Sequence, residues 1–345
     1  MKERGMDVLV LSKADVARLL PLDACMGVME QALKALSSGQ ATMPLRSVMP
    51  VPGGTGLLGL MPGTLAIEKV FGAKITSVYG SNLNTEFESH QGVVVLFEAE
   101  HGRPLALVDA GEVTAVRTAA VSGVATRALA REDARTLALI GSGSQAYPHL
   151  EAMLLVRPIE EVRVWSRTAE HAQAFVDHEA ARWQNERPGL RFRVASNVAE
   201  AVSDADIVCT LTSASEPVLR GDQLPAGVHV NAVGSTGPRG REIDTEVVRR
   251  ARLFVDRLES ALNEAGDFLV ARAEGVVGDD HIVGELGDVL LGRVPGRRSP
   301  DEITLFRSLG LAVEDVATAH FLYREAQAAG LGVWAPLGGR RPGAE

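Results

Sequence analysis

The chain reads as an α/β protein in which a doubly wound parallel-sheet domain is inserted into a second, α+β domain. Three observations predict this. Strand and helix signals alternate from residue 136 to 256, and the first of these strands runs into a glycine turn and out as a helix. Residues 42 to 109, by contrast, read as strand after strand punctuated by turns. Two helical stretches precede that run, and one amphipathic helix follows the alternating region.

Residues 7 to 11 (DVLVL) read as a strand. Ser12, with Asp15 three residues on, has capping-box spacing and opens a short helix that Pro21 stops. A second helix begins after Asp23, with Met26, Met29, Leu33 and Leu36 at helical spacing as core positions, and Gly39 ends it. Candidate strands follow at 43–49 (MPLRSVM), 57–61, 70–79, 92–98 and 104–109, the last two joined by a hairpin turn at Glu100-His101-Gly102-Arg103. Nearly contiguous strands imply a mixed or antiparallel sheet backed by the two helices. Residues 111 to 131 form one long helix linking the domains, its interior crowded with Ala, Gly, Ser and Thr so that something can approach its backbone closely.

Strands at 136–140, 161–165, 191–194, 206–210, 228–233 and 252–256 then alternate with helices, which implies right-handed crossovers and a parallel sheet. Residues 295 to 300 are a loop, 302 to 307 a further strand and 311 to 328 the last helix. The tail from Pro336, rich in Gly, Pro and Arg, is expected to fray.

Composition narrows the function. A chain of 345 residues with 46% hydrophobic content can fill two cores. A formal charge of -9 leaves no basic face for nucleic acid or an anionic membrane, and the blocks at Arg239 to Arg241 and Arg297 to Arg298 read as solvated surface. Cys25 and Cys209 follow no metal spacing and no redox pairing, so reduced thiols and no metal site are expected. No apolar run has the form of a signal peptide or reaches bilayer length, and a cytoplasmic protein is expected.

The segment Thr136 to Ala146 (TLALIGSGSQA) has the order that a dinucleotide's pyrophosphate requires. Gly141 permits the tight strand-to-helix turn, Gly143 lets the backbone approach the phosphates, and Ala146 lets helix pack on strand. With Ser142, Ser144 and Gln145 these residues form the cradle of a Rossmann domain, the phosphates lying on the N–H groups at the positive end of the helix. A free ribose 2′-hydroxyl normally meets a carboxylate at the end of the second strand. Here that strand ends Val164-Trp165-Ser166-Arg167-Thr168, and Arg167 with the hydroxyls of Ser166 and Thr168 suits a 2′-phosphate instead. NADP(H) is therefore preferred, with NAD(H) as the alternative. Thr210-Leu211-Thr212 and Val233-Gly234-Ser235-Thr236 stand at the carboxyl ends of two parallel strands, where ligands bind; ordinary loop polarity is the other reading of them.

Three cations occupy awkward places. Arg46 interrupts a candidate strand, Lys74 lies between Ala73 and Ile75 in another, and Arg117 lies among small residues of the linking helix. A buried cation needs an anion. Either the protein supplies it, with Asp109 or Glu112 near Arg117 and Glu68 near Lys74, or a substrate does.

Together with these residues, Thr114 to Ala120 (TAVRTAA), Gly141 to Ala146 (GSGSQA), Asn231 to Gly234 (NAVG) and Ser308-Leu309-Gly310 followed by Glu314-Asp315 resemble the ornithine cyclodeaminase/mu-crystallin family. The resemblance implies a homodimer. It implies a substrate-binding and dimerisation domain of residues 1–118 plus 308–345, with the dinucleotide domain 119–307 inserted. It also implies that Arg46, Lys74 and Arg117 converge on the carboxylate of an amino or imino acid beside the nicotinamide, and it adds Thr118 and Gly310 to the cofactor contacts. One departure matters: cyclodeaminases and related alanine dehydrogenases carry an Asp where this chain has Thr236. A threonine hydroxyl has no useful pKa near neutrality. The expectation is an NAD(P)H-dependent reductase of carboxylate-bearing imines, with Lys74 and secondarily His90 as proton donors. The rivals are an amino-acid dehydrogenase or ornithine cyclodeaminase, and a non-catalytic NADPH or small-ligand binding protein.

Overall fold

The computed structural model describes residues 7–337. In chain order the strands and helices begin with β1 (Asp7–Leu11), α1 (Lys13–Leu19), α2 (Leu22–Ser37), β2 (Ala41–Thr42), β3 (Ser47–Pro50), β4 (Leu57–Leu65), β5 (Val70–Val78), β6 (His90–Glu98), β7 (Pro104–Asp109) and α3 (Ala110–Leu129). There follow β8 (Thr136–Ile140), α4 (Ala146–Val156), β9 (Glu161–Trp165), α5 (Ala169–Trp183), β10 (Arg191–Val194), α6 (Val198–Val202), β11 (Ile207–Thr210), β12 (His229–Ala232), α7 (Thr245–Arg250) and β13 (Arg252–Val255). The last are α8 (Leu258–Glu264), α9 (Gly266–Ala273), β14 (Ile282–Glu285), α10 (Leu286–Leu290), β15 (Thr304–Arg307), α11 (Ala312–Ala329) and β16 (Val333–Pro336). The described residues divide into two compact units, one that ends at Arg117 and resumes at Leu311 and one that runs from Thr118 to Gly310.

The first unit is a mixed sheet in the order β16-β1-β7-β6-β5-β4-β2, with β3 also paired to β4. Only β1 and β7 run parallel; the long strands β4, β5 and β6 form antiparallel ladders. Ser12 and Asp15 make the reciprocal capping bonds that their spacing predicts. Met26, Met29, Leu33 and Leu36 form the buried stripe of α2. α11 packs on α2 and on β4, β5 and β6. It approaches β4 closely at Gly63, where a Cβ would lie 3.2 Å from the backbone nitrogen of Val313 and would require a shift of a few tenths of an ångström.

Two expectations for this unit change. Of the strand read at 43–49 only residues 47–49 pair, as the start of β3; β2 ends at Thr42, and Arg46 stands in the loop between the two. Pro44 has no N–H to give a ladder. The expected fraying starts one residue too early, because Pro336 ends the strand Val333–Pro336 that pairs antiparallel with β1. Residues beyond 337 lie outside the described set.

The second unit is a parallel sheet in the order β10-β9-β8-β11-β12-β15-β13-β14. The strand order reverses between β8 and β11, the switch point at which such sheets bind nucleotides. The central strands are buried on both faces, including the polar His229 and Asn231 of β12, which hydrogen-bond to Thr304 and Thr126. The carboxyl end of α3 is held by Arg157, whose guanidinium donates to the carbonyls of Thr126, Arg127, Ala130 and Arg131, a cation where the helix dipole favours one. No helix among the described residues is long and apolar enough to cross a membrane.

Candidate active site and nucleotide cradle

On β5, Val70, Gly72 and Lys74 alternate onto the buried face while Phe71 and Ile75 point out. The ammonium of Lys74 is thus carried under α11. The first turn of that helix presents Glu314 and Asp315, both fully buried. Lys74 Nζ lies 2.8 Å from Asp315 Oδ2 and donates to Thr114 Oγ1 at 3.3 Å. Arg117 Nε donates to Asp315 Oδ1 at 2.9 Å, and its Nη1 to Glu314 Oε2 at 3.0 Å. Glu314 also accepts from Leu311 N at 3.2 Å, capping the helix it belongs to. The anions beside Lys74 and Arg117 are therefore Glu314 and Asp315 rather than Asp109, Glu112 or Glu68. An acidic pair gains further from the positive end of α11.

Burial lowers the Lys74 pKa to about 8, against the attraction of Asp315, with the charges of Arg117 and Arg46 adding to the depression. Burial opposes ionisation of Asp315, yet Arg117 and Lys74 outweigh it and hold the carboxyl below its ordinary value. Arg46, half-buried, thus belongs electrostatically to this cluster from its loop. His90 begins β6 with Nδ1 3.0 Å from Ser89 Oγ. Partial burial and then the Lys74 charge lower its pKa. The unit brings together a proton-bearing amine tuned near neutrality, two guanidinium groups and an imidazole.

In the second unit, Gly141 follows β8 at φ +117°, and its N–H donates to the carbonyl of Trp165 at 2.8 Å. A Cβ there would meet the carbonyl oxygen of Leu211 at 2.7 Å, so glycine is required. A Cβ on Gly143 would meet nothing within 4 Å: its backbone borders open space at the start of α4. Ser142, Ser144 and Gln145 complete the turn, and Ala146 is fully buried where the helix packs. This arrangement fits a pyrophosphate. Ser166, Arg167 and Thr168 follow β9; Arg167 is exposed and makes no bond to another described residue.

The strand-end residues are organised by a side chain that sequence reasoning missed. Glu242, fully buried, accepts from Thr210 Oγ1 at 2.9 Å, Thr212 N at 2.6 Å, Thr212 Oγ1 at 2.8 Å, Gly234 N at 2.6 Å and Ser235 N at 3.2 Å. Burial raises its pKa against these bonds. Likewise Asp256 Oδ2 accepts from the N–H groups of Leu309 and Gly310, at 2.5 and 2.9 Å. Leu211, Val233 and Thr118 are largely buried, whereas Thr236 is exposed. Arg307, at the end of β15, lies 2.9 Å from Asp267 through Nε and donates to the carbonyls of Ala232 and Ser235. Lys74 is marked by standing inside an apolar strand, and Arg307 more weakly by closing one; nothing local marks Glu242.

The family model for the ornithine cyclodeaminase/mu-crystallin family matches residues 6–330. The chain belongs to this family. Among its relatives, the mouse ketimine reductase mu-crystallin is 40% identical over 298 residues, covering 86% of this chain and 90% of the relative. Among solved members, the Thermococcus litoralis Delta(1)-pyrroline-2-carboxylate reductase in complex with NADH and L-proline superposes with a TM-score of 0.90 at 36% identity, covering 94% of this chain and 99% of that one. An archaeal alanine dehydrogenase, a dimer with bound NAD, gives 0.88 at 33% identity, covering 96% and 99%.

Proposed function

We propose that this chain is an NAD(P)H-dependent reductase of imines that bear a carboxylate, either cyclic ketimines or imines formed from a 2-oxo acid and an amine. The observation that carries the reading is Lys74: a buried ammonium with a pKa of about 8, fixed by Asp315 and Thr114 on the face under α11. It is paired with the absence of a carboxylate at Thr236. A reductase needs a proton for the imine nitrogen, and a group titrating near the working pH supplies one efficiently. A deaminase needs a base, and the exposed hydroxyl of Thr236 is not one.

The dinucleotide fits the turn from Gly141 to Ala146, with Ser166, Arg167 and Thr168 suited to a 2′-phosphate, so NADP(H) is favoured over NAD(H). When bound, the reduced nicotinamide supplies hydride to the imine carbon. Arg46 and Arg117 bind and orient the substrate carboxylate, a proximity effect. Lys74 Nζ gives the proton that turns the imine nitrogen into an amine, and His90 is the second donor. Thr118, Thr210, Leu211, Thr212, Val233, Gly234, Ser235 and Gly310 shape the cofactor's surroundings. Because the Asp256 and Glu242 carboxylates take so many of their donors, several of these act through shape more than through direct bonds.

We further propose a cytoplasmic homodimer. Leu60, Ile75 and Val93 stand side by side across β4, β5 and β6, each exposed, beside the stacked rings of Phe71 and Phe97. An apolar row of this kind suits a second copy of the same sheet. The test of the activity is a panel of Δ1-pyrroline-2-carboxylate, its six-membered homologue and mixtures of 2-oxo acids with amines, each with NADPH and NADH. Oxidation of NADPH with formation of the cyclic or N-alkyl amino acid supports the reading. Release of ammonia from L-ornithine or L-alanine with no imine reduction overturns it in favour of a cyclodeaminase or dehydrogenase.

A further inference from the structure

We propose that Glu242 is a positioning residue for the nicotinamide half of the dinucleotide: its carboxylate bolts the loop after β11 to the loop after β12. The inference rests on the cofactor reading above. In a doubly wound sheet each half takes one mononucleotide. Here β8, β9 and β10 form the half with the glycine turn and Arg167, and β11, β12 and β15 form the other.

Between the ends of β11 and β12, the donors of Thr210, Thr212, Gly234 and Ser235 converge on the two oxygens of one buried carboxylate. The spacing of the loops is tight enough that a Cβ on Gly234 would lie 2.2 Å from the carbonyl oxygen of Thr212 and 2.7 Å from Glu242 Oε1. Glu242 is itself anchored. Its N–H donates to Asp267 Oδ1 at 2.9 Å, and Asp267 Oδ2 lies 2.9 Å from Arg307 Nε. Arg307 Nη1 in turn donates to the carbonyl of Ala232 at 2.9 Å. Separating the loops leaves buried donors with nothing to meet, which is why the arrangement is held closed. A full carboxylate is needed, because glutamine offers one oxygen and turns an NH2 group toward N–H groups already pointing inward.

The experiment measures binding of NADPH and of its adenosine fragment 2′,5′-ADP to the full chain by calorimetry, with NADH and ADP run beside them. In Glu242→Gln the affinity for the whole dinucleotide is expected to fall by about 10-fold or more, the scale of a lost charged hydrogen bond. The fragment, held by the other half, is expected to change by less than about twofold, within the scatter of independent sites. Thr210→Val removes one donor and keeps the carboxylate, so it is expected to move in the same direction by less. Should Glu242→Gln not fold, Thr210→Val combined with Thr212→Val carries the same comparison. Equal weakening of dinucleotide and fragment signals general loosening and overturns the proposal, as does an unchanged dinucleotide affinity. A wild-type protein that binds neither ligand overturns the cofactor reading itself; one that binds both with no selective loss in the variants overturns only the role of Glu242.

Discussion

Arg117 Nε lies 2.9 Å from Asp315 Oδ1 across 198 residues of sequence, and the other oxygen of that carboxylate holds Lys74 at 2.8 Å. One acid from the last helix of the first unit therefore serves two cations, and Glu314 serves Arg117 a second time. Two buried positive charges are balanced by two buried negative ones. Under the proposed reading, a substrate carboxylate would meet cations that Glu314 and Asp315 already orient.

Replacing Lys74 with methionine is expected to lower kcat by at least about 100-fold, the lower range of what a positioned proton donor contributes. NADPH affinity is expected to stay unchanged. Turnover with Δ1-pyrroline-2-carboxylate and a separate fluorescence titration with NADPH read the two quantities. Activity surviving the change removes Lys74 from the chemistry.

If Lys74 gives its proton, kcat falls as pH rises through about 8, the pKa that burial and its neighbours assign it. Asp315→Asn takes away the main attraction holding the proton there, so the alkaline limb is expected to move to lower pH. Breaking a buried pair also costs stability, about 3–5 kcal/mol. A pH–rate profile of both proteins checks the direction, and a denaturant titration checks the cost.

Acid destabilises the second unit through His149 and His229. Burial depresses their pKa values, to about 4 and about 3, against 6.5 ordinarily. Both stay neutral in the folded protein while the unfolded chain takes up protons below 6.5. The unfolded state then binds more protons, so stability falls as pH drops from 6.5 toward 4. The slope is up to about 1.4 kcal/mol per pH unit for each histidine. Urea midpoints at pH 7 and 5 should separate less in His149→Gln than in the wild type. An equal separation in both proteins excludes His149 as a source.

Arg167→Ala is expected to raise KM for NADPH by roughly 10- to 100-fold with little change for NADH, since only the former carries the 2′-phosphate. Equal effects on both, or a wild-type preference for NADH, remove the basis for NADP(H) selection.

Ile75→Arg places a charge in the row shared with Leu60 and Val93. Light scattering is expected to give twice 36.6 kDa for the wild type and a single chain for the variant. A wild type that is already monomeric contradicts the dimer.

What the sequence disclosed was local in origin. The capping box at Ser12, the buried stripe of α2 and the turn from Gly141 to Ala146 each follow from residues a few positions apart. The awkward setting of Lys74 and Arg117 was also readable, because a charge among apolar or small residues needs an explanation. Their partners were not, since Glu314 and Asp315 reach them only through the packing of α11 on the sheet. The nearby acids in sequence, Glu68, Asp109 and Glu112, were the wrong place to look. Glu242 escaped for the same reason: its neighbours Arg241 and Ile243 say nothing about Thr210 or Gly234. The edge strand β16 was hidden behind a Gly- and Pro-rich ending that argues for no structure at all.

The first unit is discontinuous in the chain, and this bears on how the protein is made. A ribosome delivers Lys74 and Arg117 long before Glu314 and Asp315. Until α11 emerges, closing the sheet over those cations means burying them with no counter-ion, at a cost of several kcal/mol each. The second unit has no such wait, being one continuous run from 118 to 310. Its sheet can assemble on the nascent chain while the amino-terminal strands stay open. The last helix then acts as the key that lets the earliest-made part of the protein lock, so truncation before residue 315 should leave a folded nucleotide unit attached to an unclosed first one.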